Sequence, residues 1–209
     1  MSKIRQFLEQ VLQMPYYKNY AAASGKVHNI AKHEDATEDL LIQHGFTKHS
    51  KGGISKKQRD SWLKDPYSCS IPDGSYVSQP TGTHDSPDFI VKENGRAYFI
   101  ECKSVSKKTK APMYNSGVPK SGYIYVFTAE KYNQTTIFDG SDVCPPNDYK
   151  LLQKLIEEHR KLDDKYNKLL RSSYNIQHYT RPMISHYGGI DYFVHNDRKK
   201  NEQKVLNNV

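Results

Sequence analysis

The chain has 209 residues, 36% apolar and 26% charged, enough for one domain with a modest core. Its mean hydropathy of −0.84 and the lack of any ~18–20-residue apolar run exclude a membrane-spanning helix. Three cysteines without paired spacing indicate neither a disulfide framework nor a zinc site, the first residues lack a signal peptide's apolar run, and a cytoplasmic location is expected; the net charge of +8 favours a polyanionic partner.

In chain order, Ile4, Phe7, Leu8, Val11 and Leu12 share one face of a predicted helix over 2–13, stopped by Pro15. A second helix is predicted over 26–44, with Ile30, Thr37, Leu40, Leu41 and His44 inward and Gly45 as its C-terminal stop. Residues 46–86 are rich in Gly, Ser, Lys, Pro and Asp and read as a long loop or small subregion. Strands are predicted at 89–91, 97–100, 123–128 and 135–138. Pro145, Pro146, Asn147 and Asp148 stop the chain and begin a helix over 148–172. Its apolar face, with Leu151, Leu155, Leu162 and Tyr166, is expected in the core, with room for a dimer contact. A last strand is expected at 190–195. A single domain over 1–197 then ends in a polar, frayed tail over 198–209. This order implies a mixed α/β domain.

The positive charge is local. Residues 40–59 and 102–129 carry ten of the 31 basic side chains and no acid; the remaining 21 face 23 Asp and Glu. Lys56, Lys57 and Arg59, close to Trp62, mix charge with an aromatic ring and are candidates for clamping nucleic acid, although Trp62 also fits a core position. Solvated loops are the alternative reading of both stretches.

The informative segment runs from Ser86 to Lys103. Asn94-Gly95 between two apolar runs is a hairpin signal, because both residues tolerate positive φ. With those two as the turn, Val91 faces Tyr98, Phe89 faces Ile100, and Asp88 faces Glu101. Opposed carboxylates repel unless a cation lies between them. Hard oxygen ligands favour Mg²⁺, with Mn²⁺ substituting. Lys103 lies two residues beyond Glu101 and so shares its face, while Cys102 points the other way. A metal with an ammonium beside it suits phosphodiester hydrolysis. A surface hairpin with paired charges is the alternative.

At these residues the chain resembles the PD-(D/E)XK nuclease superfamily, with Pro87-Asp88 and Glu101-Cys102-Lys103 as the two signature pieces. The resemblance adds Glu34, 11 residues before Gly45-Phe46, as a further catalytic acid, with Glu38 as a second candidate. Within the superfamily the chain looks like a small type II restriction endonuclease. The stretches Gln79–Phe89 and Tyr114–Pro119 are similar to loops around the active site of some of those enzymes. The resemblance covers about residues 30–140. It implies a restriction-endonuclease-like mixed central β-sheet flanked by helices, with Asp88 and Glu101 as metal ligands. It also implies Mg²⁺-dependent double-strand cleavage of DNA at a short sequence, leaving 5′-phosphate and 3′-hydroxyl. The partner set is double-stranded DNA, a second copy in a homodimer, and a DNA methyltransferase in the same system without stable association.

Gln79 and His84 lie in the first of those loops and are candidate DNA contacts; His84 could touch phosphate or help position water. Lys107, Lys108 and Lys110 follow the Glu-Cys-Lys strand and are candidate phosphate contacts. Asn115 and Ser116 could read bases or simply form a turn. Asp85 could support the metal site or form a turn. Two other functions fit the same residues: a structure-specific nuclease of the same fold, such as a Holliday junction resolvase or repair nuclease, and a non-catalytic nucleic-acid-binding protein.

Overall fold

Asn94 and Gly95 both have positive φ, 52° and 78°, the backbone that a two-residue hairpin turn requires. They join β3 (Phe89–Glu93) to β4 (Arg96–Val105). The pairing runs Glu93 to Arg96, Lys92 to Ala97, Val91 to Tyr98, Ile90 to Phe99 and Phe89 to Ile100, as the turn implies. β3 has 5 residues and β4 has 10, so β4 continues past its partner.

The structure is a computed structural model that describes residues 2–16, 32–50, 53–82, 85–106, 111–115, 117–170, 174–186, 188 and 190–209. The hairpin lies inside a six-stranded mixed sheet with its strands in sequential order. The other strands are β1 (Thr47–Lys48), β2 (Ser75–Ser78), β5 (Tyr123–Ala129) and β6 (Gln134–Asp139). β1–β2 and β4–β5 are parallel, and the remaining neighbours are antiparallel.

Strand alternation divides the core in two. One sheet face carries Tyr98, Ile100 and Cys102, covered by α1 (Lys3–Val11) and α2 (Lys32–Gln43) through Ile4, Phe7, Leu8, Val11 and Leu41. The other carries Ala97, Phe99 and Val105, packed with Trp62, Tyr123, Tyr125 and Phe193. The hairpin also ends α1: the N–H groups of Lys3 and Ile4 donate to the Glu93 carboxylate at 2.8 and 2.9 Å. That places a negative side chain at a helix N-terminus and satisfies two backbone donors with no partner inside the helix.

Three expectations need correction, and one pair of alternatives is decided. Residues 46–86 are not a long loop but a small subregion. They hold β1, β2, α3 (Lys56–Lys64) and a 3₁₀ turn at Pro66–Ser68. α3 begins in a reciprocal cap between Ser55 and Gln58 and buries Arg59 and Trp62. Residues 190–195 form no strand; Tyr192–Val194 is a 3₁₀ turn whose Tyr192 and Phe193 rings enter the core. The helix expected over 148–172 is α5 (Pro146–Asn167), which follows the short α4 (Gly140–Val143) and has no fully buried residue. Leu151 is 68% exposed and Leu162 51%, because other elements already cover both sheet faces. The expected tail is α6 (Arg198–Asn207), not a frayed end. It buries Val205 and Leu206 against the α1 face, and its buried polar groups are satisfied: Glu202 accepts from Thr136 Oγ1 at 2.7 Å, Arg198 Nε at 2.9 Å and Lys199 Nζ at 2.9 Å. Among the described residues no helix is long and apolar enough to cross a membrane.

Burial alone would raise the Glu202 carboxyl, but the hydrogen bonds from Lys199, Thr136 and Arg198 outweigh it and hold the group below the usual range. A lowered folded pKa stabilises the protein above the unfolded value of about 4.3, and that stabilisation is lost as pH falls through the folded value. Glu202→Gln should therefore reduce stability by about 1–2 kcal/mol at pH 7. In urea unfolding, the gap to wild type should shrink as pH is lowered below about 4.

Candidate active site

Where β3 stops at Phe89, the N–H of Cys102 on β4 has no partner strand. Asp88 Oδ2 accepts it at 2.6 Å, so a side chain completes the ladder that the strand leaves open. Glu101 and Lys103 flank Cys102 on the opposite face, and Lys103 Nζ lies 2.6 Å from Glu101 Oε1. Cys102 itself is buried under α2, where its thiol lies 3.5 Å from Thr37 Oγ1. Asp88, Glu101 and Lys103 thus meet at one end of the hairpin, where strand pairing ends at Phe89 and Ile100 and the expected Asp88–Glu101 pair is not part of the ladder.

Glu34 reaches the same place from the first turn of α2. Gln79 orders it, with Nε2 donating to Glu34 Oε2 at 3.0 Å, while the Gln79 backbone N–H donates to the Asp88 carbonyl at 2.6 Å. Glu38 is bound elsewhere: it accepts from Tyr76 OH at 2.9 Å and pairs with Lys48 at 2.7 Å. Of the two candidate acids, Glu34 is the one at the site.

The electrostatics follow from enclosure. Burial, then the charges of Glu101 and Glu34, push the Asp88 carboxyl well above its usual value. Burial also raises Glu101, against the opposing pull of Lys103 and Lys120. Glu34 is raised first by burial, with the Gln79 hydrogen bond opposing and the Glu101 charge adding. Burial works against the Lys103 charge, but Glu101 outweighs it and keeps the amine a cation. His33 is lowered to about 4 by burial and by Lys103, so its ring is neutral near pH 7.

Among the described residues no three or more His, Cys, Asp and Glu side chains form a ready metal-ion site. Two carboxylates nevertheless suit a cation. Asp88 and Glu101 are both held above their usual pKa, and Glu101 Oε2 is buried without a hydrogen-bond partner. Hard oxygen donors of this kind match Mg²⁺ or Mn²⁺.

The predicted DNA contacts divide. Lys57 is exposed; Lys56 is exposed but pairs with Asp85 at 3.2 Å. Arg59 is not a surface contact. It is buried, bonded to Asp60 at 2.8 Å, Asp85 at 2.9 Å and the Ser86 carbonyl at 2.7 Å. Asp85 is therefore a structural anchor for the loop that carries Asp88. Gln79 is half-buried and donates to Glu34. Asn115 is exposed, and its carbonyl accepts from Arg181 Nε at 3.0 Å. His84, Lys107, Lys108, Lys110 and Ser116 lie outside the described residues.

Two residues at the site escaped the sequence reading, His33 and Lys120. His33 directly precedes Glu34, a weak signal. For Lys120 the signal is only its place in the acid-free stretch 102–129, because it comes to Glu101 through the tertiary fold. No protein-family model, curated protein or solved structure matches the chain.

Removing Arg59 would leave Asp85 without its buried counter-charge. Arg59→Met should cost about 3 kcal/mol, measured by thermal or urea unfolding, whereas Lys57→Met should change stability by no more than about 0.5 kcal/mol.

Proposed function

We propose that this protein is a Mg²⁺-dependent nuclease that cuts double-stranded DNA, in the manner of a type II restriction endonuclease. The observation that carries the reading is the meeting of Asp88, Glu101 and Lys103 at the end of β4, with Glu34 held beside them. The six-stranded mixed sheet flanked by helices is compatible with a restriction-endonuclease-like fold.

Asp88 and Glu101 would hold the cation, which when bound stabilises negative charge on the reacting phosphate and lowers the pKa of a bound water. The Lys103 ammonium donates to the attacking water or to a phosphate oxygen. Its charge is set by Glu101, so it acts as an acid and orienter, not as a base. Glu34, held by Gln79, supports the site from the α2 side. The protein is proposed to work as a homodimer, and the exposed apolar stripe of α5, with Leu151, Leu155, Leu162 and Tyr166, is a surface that would serve association.

A second reading is a non-catalytic nucleic-acid binder. It is favoured by the 2.6 Å Glu101–Lys103 ion pair, which gives Glu101 a counter-ion without any metal.

Digestion of long defined duplex DNA with Mg²⁺ decides between them. Wild type is expected to yield discrete fragments with 5′-phosphate and 3′-hydroxyl ends, and chelation should stop the reaction. Asp88→Ala, Glu101→Ala and Lys103→Ala should each lower the rate by at least about 10²-fold while remaining folded by circular dichroism. Normal cutting by any of the three would sink the assignment. Salt-sensitive DNA binding without cleavage on linear or branched substrates would favour the second reading, and a preference for branched DNA would mark a junction nuclease.

A further inference from the structure

Lys120 stands on the opposite wall of the site from α2, and its main chain is locked in place. Its N–H donates to Tyr125 OH at 3.1 Å, and its carbonyl accepts from the Tyr123 N–H at 3.2 Å. Gly140 presses against it so closely that a Cβ there would lie 2.1 Å from the Lys120 carbonyl oxygen. The side chain is directed as firmly. Nζ lies 3.2 Å from Ser86 Oγ and 3.5 Å from Tyr123 OH, and 5.0 Å from the centre of the Tyr123 ring. Ser86 is on the loop that leads to Asp88.

All of these partners are neutral. Among the described residues Lys120 makes no ion pair, although it is largely enclosed. Its charge still acts on the site, because it is one of the groups that oppose the upward shift of Glu101. Burial, then the Arg59 charge, lowers the Lys120 amine from its ordinary value; a cation enclosed without a paired anion is unfavourable unless a ligand supplies one. An ammonium has three donors, and the two hydroxyls leave room for an anionic oxygen.

We propose that Lys120 is a substrate-binding residue that receives a backbone phosphate oxygen of the nucleic acid beside the Asp88–Glu101 pair. The proposal rests on the nuclease reading for the identity of the anion. It adds a second cation to the site: Lys103 is bound to Glu101, whereas Lys120 is held back from the carboxylates by neutral hydroxyls.

The test is the salt dependence of binding to a long duplex, measured in EDTA so that cleavage plays no part. Each phosphate contact adds about 0.9 to the slope of log K against log salt. Lys120→Gln and Lys120→Met should lower the slope by about one and weaken binding across all sequences, and Lys120→Arg should restore both. A purely structural lysine would not move the slope. Unchanged slopes in folded variants would overturn the proposal. So would loss of the fold in both neutral variants, which would assign the ammonium to structure. If wild type binds with a Lys120-dependent slope but never cuts, the nuclease reading fails and the phosphate contact stands. If wild type cuts and the slopes are unchanged, the nuclease reading stands and the Lys120 contact fails. If it does not bind duplex DNA at all, both fall.

Discussion

The hydrogen bond from the Cys102 N–H to Asp88 Oδ2, 2.6 Å long, joins the sheet to the site. It exists because β3 is shorter than β4, and a backbone donor left at the end of a shortened strand needs an acceptor. The acceptor is a side chain whose second oxygen remains for other work. The same overrun of β4 puts Glu101 and Lys103 beyond the last β3 pair, next to β5. Strand pairing on one side and its absence on the other thus define where the charged cluster lies.

The cluster is then held from two directions. On the α2 side, Gln79 ties Glu34 to the loop of Asp88. On the far side, Ser86 collects the loop's other restraints: its carbonyl accepts from Arg59 and Tyr123, and its hydroxyl from Lys120. Asp85 and Arg59 form the enclosed ion pair behind this junction. Burial raises the carboxyls of Asp88, Glu101 and Glu34, the Glu101 charge adds to the shift of Asp88 and Glu34, and Lys103 and Lys120 only partly offset the rise of Glu101. This tension would be relieved by a divalent cation, and it is the physical basis of the functional proposal.

Charge seen along the sequence differs from charge seen in space. The acid-free stretch 40–59 looks like an unneutralised patch. In the fold, Lys48 meets Glu38, Lys56 meets Asp85, and Arg59 meets both Asp60 and Asp85. Acids from outside the stretch come to it once the chain folds. Lys57 and Lys120 keep no such partner among the described residues, and only Lys120 adjoins the carboxylates.

What the sequence alone determined is what local chemistry controls. Asn94-Gly95 required positive φ at both positions, which set the hairpin register, and strand alternation then placed Glu101 and Lys103 together and Cys102 away from them. The 3.6-residue pattern of α1 and the stop at Gly45 were equally local. Other features depended on contacts between distant segments. The choice of Glu34 over Glu38 turned on which acid Gln79 and Tyr76 could reach. The structure of 46–86 rested on scattered buried residues, among them Arg59 and Trp62 of α3 and Tyr76 and Val77 of β2, too widely spaced to stand out among polar neighbours. The exposed face of α5 and the packed face of α6 depended on which elements already covered the sheet. Burial is a competition among all the apolar surfaces of the chain, so periodicity can show that a helix has an apolar face but not whether that face finds a place in the core.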